Sequence, residues 1–236
     1  MSEDKGIRRR SAGTARVTAV LAACAGVATV ALVLTSCSAG EGGRSAPGPA
    51  DGAASTRVIN EIAVGADGQP TNGYHESTDP VPERAAECGD PSPAAVSDNI
   101  YACAPSAYGA DVCWPAAVLD LLCMNDPWAR EVHRIHVSAP LDAVTKPVTP
   151  QPVALNLDDG THCRLRNGGS WGGRDDGLAG AYRCDANQAV LVRPDSAPID
   201  QTAPLWTVKV GDLPGFGQPA RPPTAHRVVT AWFAAN

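Results

Sequence analysis

Gly168-Gly169-Ser170-Trp171-Gly172 spells the G-x-S-x-G of a serine-hydrolase nucleophile elbow, and Asp200, Asp212 and His226 follow in the chain order such an enzyme uses. The chemistry would be acyl transfer, with the serine as nucleophile and the imidazole as its base. An elbow, however, needs a buried, nearly all-apolar strand before the serine and a helix after it, inside a parallel α/β sheet. Here the preceding run, His162 to Asn167, carries a histidine and two arginines. The following run, Gly173-Arg174-Asp175-Asp176-Gly177, is a poor helix start, since two glycines and two aspartates outweigh its one arginine. The stretch therefore reads as a hairpin loop, and no residue is assigned as catalytic. Trp171, a large aromatic in a polar glycine loop, is instead the candidate ligand or partner contact.

Other groupings that could do chemistry are weaker still. His133 and His136 fall on opposite faces of a strand, or on one face of a helix, and neither has a third metal ligand nearby in sequence. Asp175 and Asp176 read as solvated turn carboxylates. No residue set points to a cofactor, and no metal ligand is assigned. Of the eight cysteines, Cys24 and Cys37 belong to the N-terminal region, leaving Cys88, Cys103, Cys113, Cys123, Cys163 and Cys184. Their spacings lack the C-x₂-C pairs of zinc sites, so an even set in an exported chain reads as three disulfides. Cys163–Cys184 is favoured by strand patterning. For the other four, Cys88–Cys103 with Cys113–Cys123 is the first choice and Cys88–Cys113 with Cys103–Cys123 the alternative.

The elements that must position these residues are short. Prolines and glycines punctuate the chain about every ten residues from position 57 onward. Val153, Leu155 and Leu157 alternate, then Asp158-Asp159-Gly160 supplies a hairpin signal, then Thr161, Cys163 and Leu165 alternate again. Tyr182 and Cys184 share a face on the strand after the glycine loop, which is why Cys163 and Cys184 can meet. Trp206, Val208 and Val210 share a face, and Val228 to Phe233 looks buried on both faces. The pattern predicts an all-β fold: a single disulfide-stapled sandwich or barrel-like domain of short antiparallel strands, with at most one or two short helices. The helical candidate is Pro115 to Met124 followed by Pro127 to Arg134, because proline suits a first helical turn. Of the five tryptophans, Trp114, Trp128, Trp206 and Trp232 sit in apolar runs and are expected in the core.

The N-terminus carries the localisation signals. Lys5, Arg8, Arg9, Arg10 and Arg16 precede Val17 to Leu34, which is free of charge, as in an export signal. Leu34-Thr35-Ser36-Cys37 resembles the lipobox of bacterial lipoproteins. The resemblance implies that Cys37 takes a diacylglycerol and becomes the first residue after cleavage; an uncleaved membrane helix is the alternative. Residues 1–36 are then a lipoprotein signal peptide, 37–56 a Ser, Gly, Ala and Pro tether, and 57–236 a single β-rich domain. Of 19 Lys/Arg and 25 Asp/Glu, five basic and two acidic residues lie in the first 36. The remainder is strongly acidic, which excludes nucleic acid and a polybasic grip on anionic lipid.

The block from Thr78 to Pro115, with Leu121 to Trp128, Trp206 to Gly215 and Val228 to Ala234, resembles uncharacterised exported proteins and lipoproteins of mycobacteria and related actinobacteria. The resemblance covers most of residues 57–236 but brings no catalytic or binding residues with it. The expected function is thus a non-catalytic binding or interaction domain on the extracytoplasmic face of the cell membrane, engaging a cell-wall component or a protein partner. A cell-envelope hydrolase with an unrecognised active site is the alternative.

Overall fold

The computed structural model describes residues 54–78, 87–104, 112–166, 174–214 and 218–236, so Cys37, Ser170 and Trp171 lie outside the described residues. Among the described residues, strands run in chain order as β1 (Arg57–Glu61), β2 (His75–Glu76), β3 (Glu87–Pro91), β4 (Tyr101–Ala104), β5 (Val112–Pro115), β6 (Asp120–Met124) and β7 (Glu131–His136), followed by β8 (Ala154–Leu157), β9 (His162–Leu165), β10 (Ala179–Cys184), β11 (Gln188–Val192), β12 (Thr207–Asp212) and β13 (Thr224–Ala234). The fold is all-β, as the alternation and turn signals imply.

Two meanders account for it. Strands β8 to β13 follow one another as antiparallel neighbours, and β13 also pairs with β8, closing a six-stranded barrel. Strands β3 to β7 form a second antiparallel sheet, with β2 added in parallel along β7. β13 is long enough to serve twice. Its first half pairs with β12 and its second half with β1, which lies parallel to it, while β8 covers the opposite edge.

The barrel interior is filled by side chains. Leu155, Leu157, Cys163, Leu165, Tyr182 and Val190 are among the residues of one apolar cluster inside it. Tyr182 is fully buried and its hydroxyl donates to the Pro152 carbonyl at 2.9 Å, the partner a buried phenol requires. A second cluster, including Ile100, Trp114, Leu122, Met124, Trp232 and Ala234, fills the seam between the second sheet and the barrel. A third, on the far face of the second sheet, contains Cys88, Cys103, Cys113 and Cys123 with Tyr101, Leu121 and Ile135.

All three expected bridges are present: Cys88–Cys103, Cys113–Cys123 and Cys163–Cys184. Each links two directly opposed residues of neighbouring antiparallel strands. The hairpin at Asp158-Asp159-Gly160 is also as expected. Gly160 sits at φ 86°, a conformation that favours glycine, and the Thr161 carbonyl accepts the Leu157 amide at 2.9 Å.

The expected helix is absent. Val118 to Met124 belongs to the β5–β6 hairpin, and Glu131 to Arg134 lies in β7. The physical reason lies in the turn between them. The Asp126 carboxylate accepts the Trp128 and Ala129 amides at 3.0 and 2.9 Å, an N-cap arrangement with Pro127 just inside it. Arg130 then adopts φ 55°, a left-handed residue that ends helices, so the start signal leads to a bend and no helix. Among the described residues the only helical element is a three-residue 3-10 turn, Asp185–Asn187.

The tryptophans divide. Trp114 and Trp232 are buried, whereas Trp128 and Trp206 are half-buried at the edges of the seam and barrel clusters. Val153 also departs from the expected alternation, packing in the seam while Leu155 and Leu157 point into the barrel.

Candidate functional site

Three polar groupings stand out on this scaffold, each built where one strand's end meets another element. The first lies at the seam. Trp128, in the turn before β7, stacks on His162 of β9 with ring centroids 4.4 Å apart and planes at 10°. Its Nε1 donates to Asn156 Oδ1 at 2.9 Å, and it meets Trp232 edge-on at 5.8 Å. On β7, His133 is buried. Desolvation holds its pKa below the usual histidine value, and the positive charge of Arg164 acts the same way. This arrangement joins the two sheets, since β8 and β9 supply one side and the turn before β7 the other.

The second grouping lies under the loop after β12. The Arg174 side chain is completely buried and bonds the Asp176 carboxylate, the Asp212 carbonyl at 2.7 Å and the Arg221 carbonyl at 2.8 Å. The hydrogen bonds from Arg174 hold the Asp176 pKa down to about 2. Above it, Asp212 and Arg221 pair at 2.8 Å on the rim of an open depression of 330 Å³, with Asn187, Leu213 and Gln218 also in its wall.

The third grouping is the only mixed carboxylate–imidazole cluster of its kind among the described residues. Asp158 and Asp159, at the tip of the β8–β9 hairpin, meet His226 of β13. His226 Nδ1 lies 3.5 Å from Asp158 Oδ1 and 3.3 Å from Asp159 Oδ2.

The residues singled out from sequence are dispersed. Asp200 caps its own turn, accepting from the Thr202 amide and hydroxyl at 3.0 and 2.7 Å. Asp212 is taken by Arg221, and His226 by the hairpin carboxylates, so these two aspartates and the histidine do not assemble as a triad. His133 and His136 do fall on opposite faces of a strand. His133 is buried, whereas His136 is exposed and pairs with Asp120 at 2.9 Å. Asp176, read as a solvated turn carboxylate, is exposed, and it also pairs with Arg174, whose buried guanidinium requires an anion.

Sequence reasoning passed over Asp158 and Asp159 as turn residues and Arg174 as a loop residue. The hairpin signal did place two carboxylates together at a tip. What it lacked was the pairing of β13 with β8, which brings His226 beside them. Compared with protein-family models, with curated proteins and with solved structures, the chain matches none.

Proposed function

We propose that the protein is an extracytoplasmic binding domain, anchored to a membrane through lipid on Cys37, and that recognition rather than catalysis is its activity. The observation that carries this reading is the set of three cystines, each clamping directly opposed residues of neighbouring strands. Bridges of this kind persist in oxidising compartments, which is where a lipobox-bearing chain is delivered. The side-chain-filled barrel interior supports recognition on the outside of the fold. Trp171 is the proposed contact residue of the glycine loop, and the proposed partner is a cell-wall component or an envelope protein.

The anchoring is tested by detergent partitioning of the full chain against Cys37→Ala in a bacterial host. Wild type is expected in the detergent phase and the variant in the aqueous phase. If both stay in the detergent phase, an uncleaved N-terminal helix replaces the lipid. A fluorophosphonate probe addresses catalysis, and covalent labelling of Ser170 would overturn the non-catalytic reading.

A further inference from the structure

We propose that Asp158, Asp159 and His226 form a binding site for one zinc-type divalent cation, on the outside of the barrel where the β8–β9 hairpin meets β13. The ligand set crosses the barrel's closing seam. The Asp158 amide donates to the Arg227 carbonyl at 3.0 Å, which fixes the hairpin tip beside His226. His226 Nδ1 is 3.5 and 3.3 Å from the nearest oxygens of Asp158 and Asp159, and the three donor atoms lie within 4.8 Å of one another. Two ligands held about 2.0–2.1 Å from zinc at the tetrahedral angle are about 3.4 Å apart. The imidazole already has that spacing to both carboxylates.

A separate contact, outside the cluster, holds the far side of the imidazole. His226 Nε2 lies 3.0 Å from the Thr224 hydroxyl, which in turn has the Val210 carbonyl at 3.5 Å. With the hydroxyl proton directed at that carbonyl, Thr224 Oγ1 accepts Nε2–H, and Nδ1 turns its lone pair toward the two carboxylates. The hydroxyl then plays the orienting part that a carboxylate, a carbonyl or a water usually plays behind a metal-bound histidine. Asp159 is oriented too, because its Oδ1 accepts the Thr161 amide at 2.9 Å and Oδ2 is left facing His226. Three acceptor atoms then lie within 4.8 Å of one another, close enough for one cation to bridge them. One nitrogen and two carboxylates suit zinc and its first-row neighbours, whereas calcium and magnesium favour all-oxygen sites. The competing occupant is a proton on Nδ1, making a simple imidazolium–carboxylate pair.

The site does not depend on lipid anchoring or on the binding role proposed above. The test uses the full chain in detergent with its cystines intact, stripped by a chelator and titrated with zinc chloride against a chromogenic zinc indicator. The expected result is one zinc per chain. His226→Gln and Asp159→Asn should each weaken binding at least tenfold, and Thr224→Val about tenfold through the imidazole's orientation. His136→Gln, which removes the imidazole paired with Asp120, should leave binding unchanged. Asp159 is an exposed turn residue, so its variant keeps the fold, as circular dichroism would verify. Failure of wild type to bind zinc would overturn the proposal, as would equal affinity in His226→Gln, or a loss in His136→Gln matching the loss in His226→Gln.

Discussion

Arg174 carries a full charge on a side chain with no exposure, and the arrangement around it follows from that. A buried guanidinium is tolerated only when its donors are satisfied, and here one carboxylate and two backbone carbonyls do so. Arg174→Met should therefore cost about 2–3 kcal/mol, the loss expected when charged hydrogen bonds vanish. Urea unfolding would measure it. Asp176 gives the same interaction a pH signature. Its folded pKa is about 2, below the ordinary aspartate value, so the pair stabilises the fold above that ordinary value. That contribution is lost as pH falls toward 2, and Asp176→Asn should flatten this part of the acid-unfolding curve. His133 titrates in a different window. Burial lowers its folded pKa, so the unfolded chain binds the proton more readily. Stability should fall as pH drops below the histidine value of about 6.5. His133→Gln should reduce that slope, read as the urea midpoint between about pH 5 and 7, the range a histidine governs.

At the scale of elements, the strands were legible where one face is apolar and the turn chemistry agrees. Leu155 and Leu157 of β8 point into the barrel as their alternation implies. Cys163 and Cys184 likewise fall on inward faces of β9 and β10, where they pair directly. The helix expected over Pro127 to Arg134 is a different case, because the start signal at Asp126-Pro127 is real and only the left-handed Arg130 stops it. A positive φ at a non-glycine residue depends on the fold around it, so short-range pattern does not reveal it. The turn between β10 and β11 makes the same point testable. Ala186 is exposed and sits at φ 52°, where a Cβ is disfavoured. Ala186→Gly should raise stability by about 0.5–1 kcal/mol, since relief of the left-handed penalty outweighs glycine's extra freedom in the unfolded chain. Thermal unfolding of the two proteins side by side would check it.

At the scale of the whole molecule, β13 is the element that makes one body of two meanders. Its alternation suggested a strand buried on both faces, and Val228, Ala231 and Phe233 do face the barrel while Trp232 and Ala234 face the seam. The register shift between Val228 and Thr230 was hidden, as was the parallel pairing with β1, because both depend on partners far away in sequence. The same long-range pairing assembles the hairpin carboxylates with His226, so the candidate site was only half legible, as a pair of turn aspartates. The apolar seam that Trp232 and Ala234 of β13 form with the second sheet implies that the barrel and that sheet unfold together. The Cys163–Cys184 bridge sits wholly within the barrel, joining β9 to β10 across a separation of 21 residues. Replacing both cysteines by alanine should cost about 3 kcal/mol in the chain-entropy account. If β13 couples the sheets, that loss appears equally in both. Native-state hydrogen exchange should show the amides of Leu191 in the barrel and Leu122 in the second sheet losing protection at the same denaturant concentration. Loss confined to Leu191 would mean that the second sheet stands without the barrel, and that the seam around Trp114 and Trp232 is a docking contact between independently folding halves.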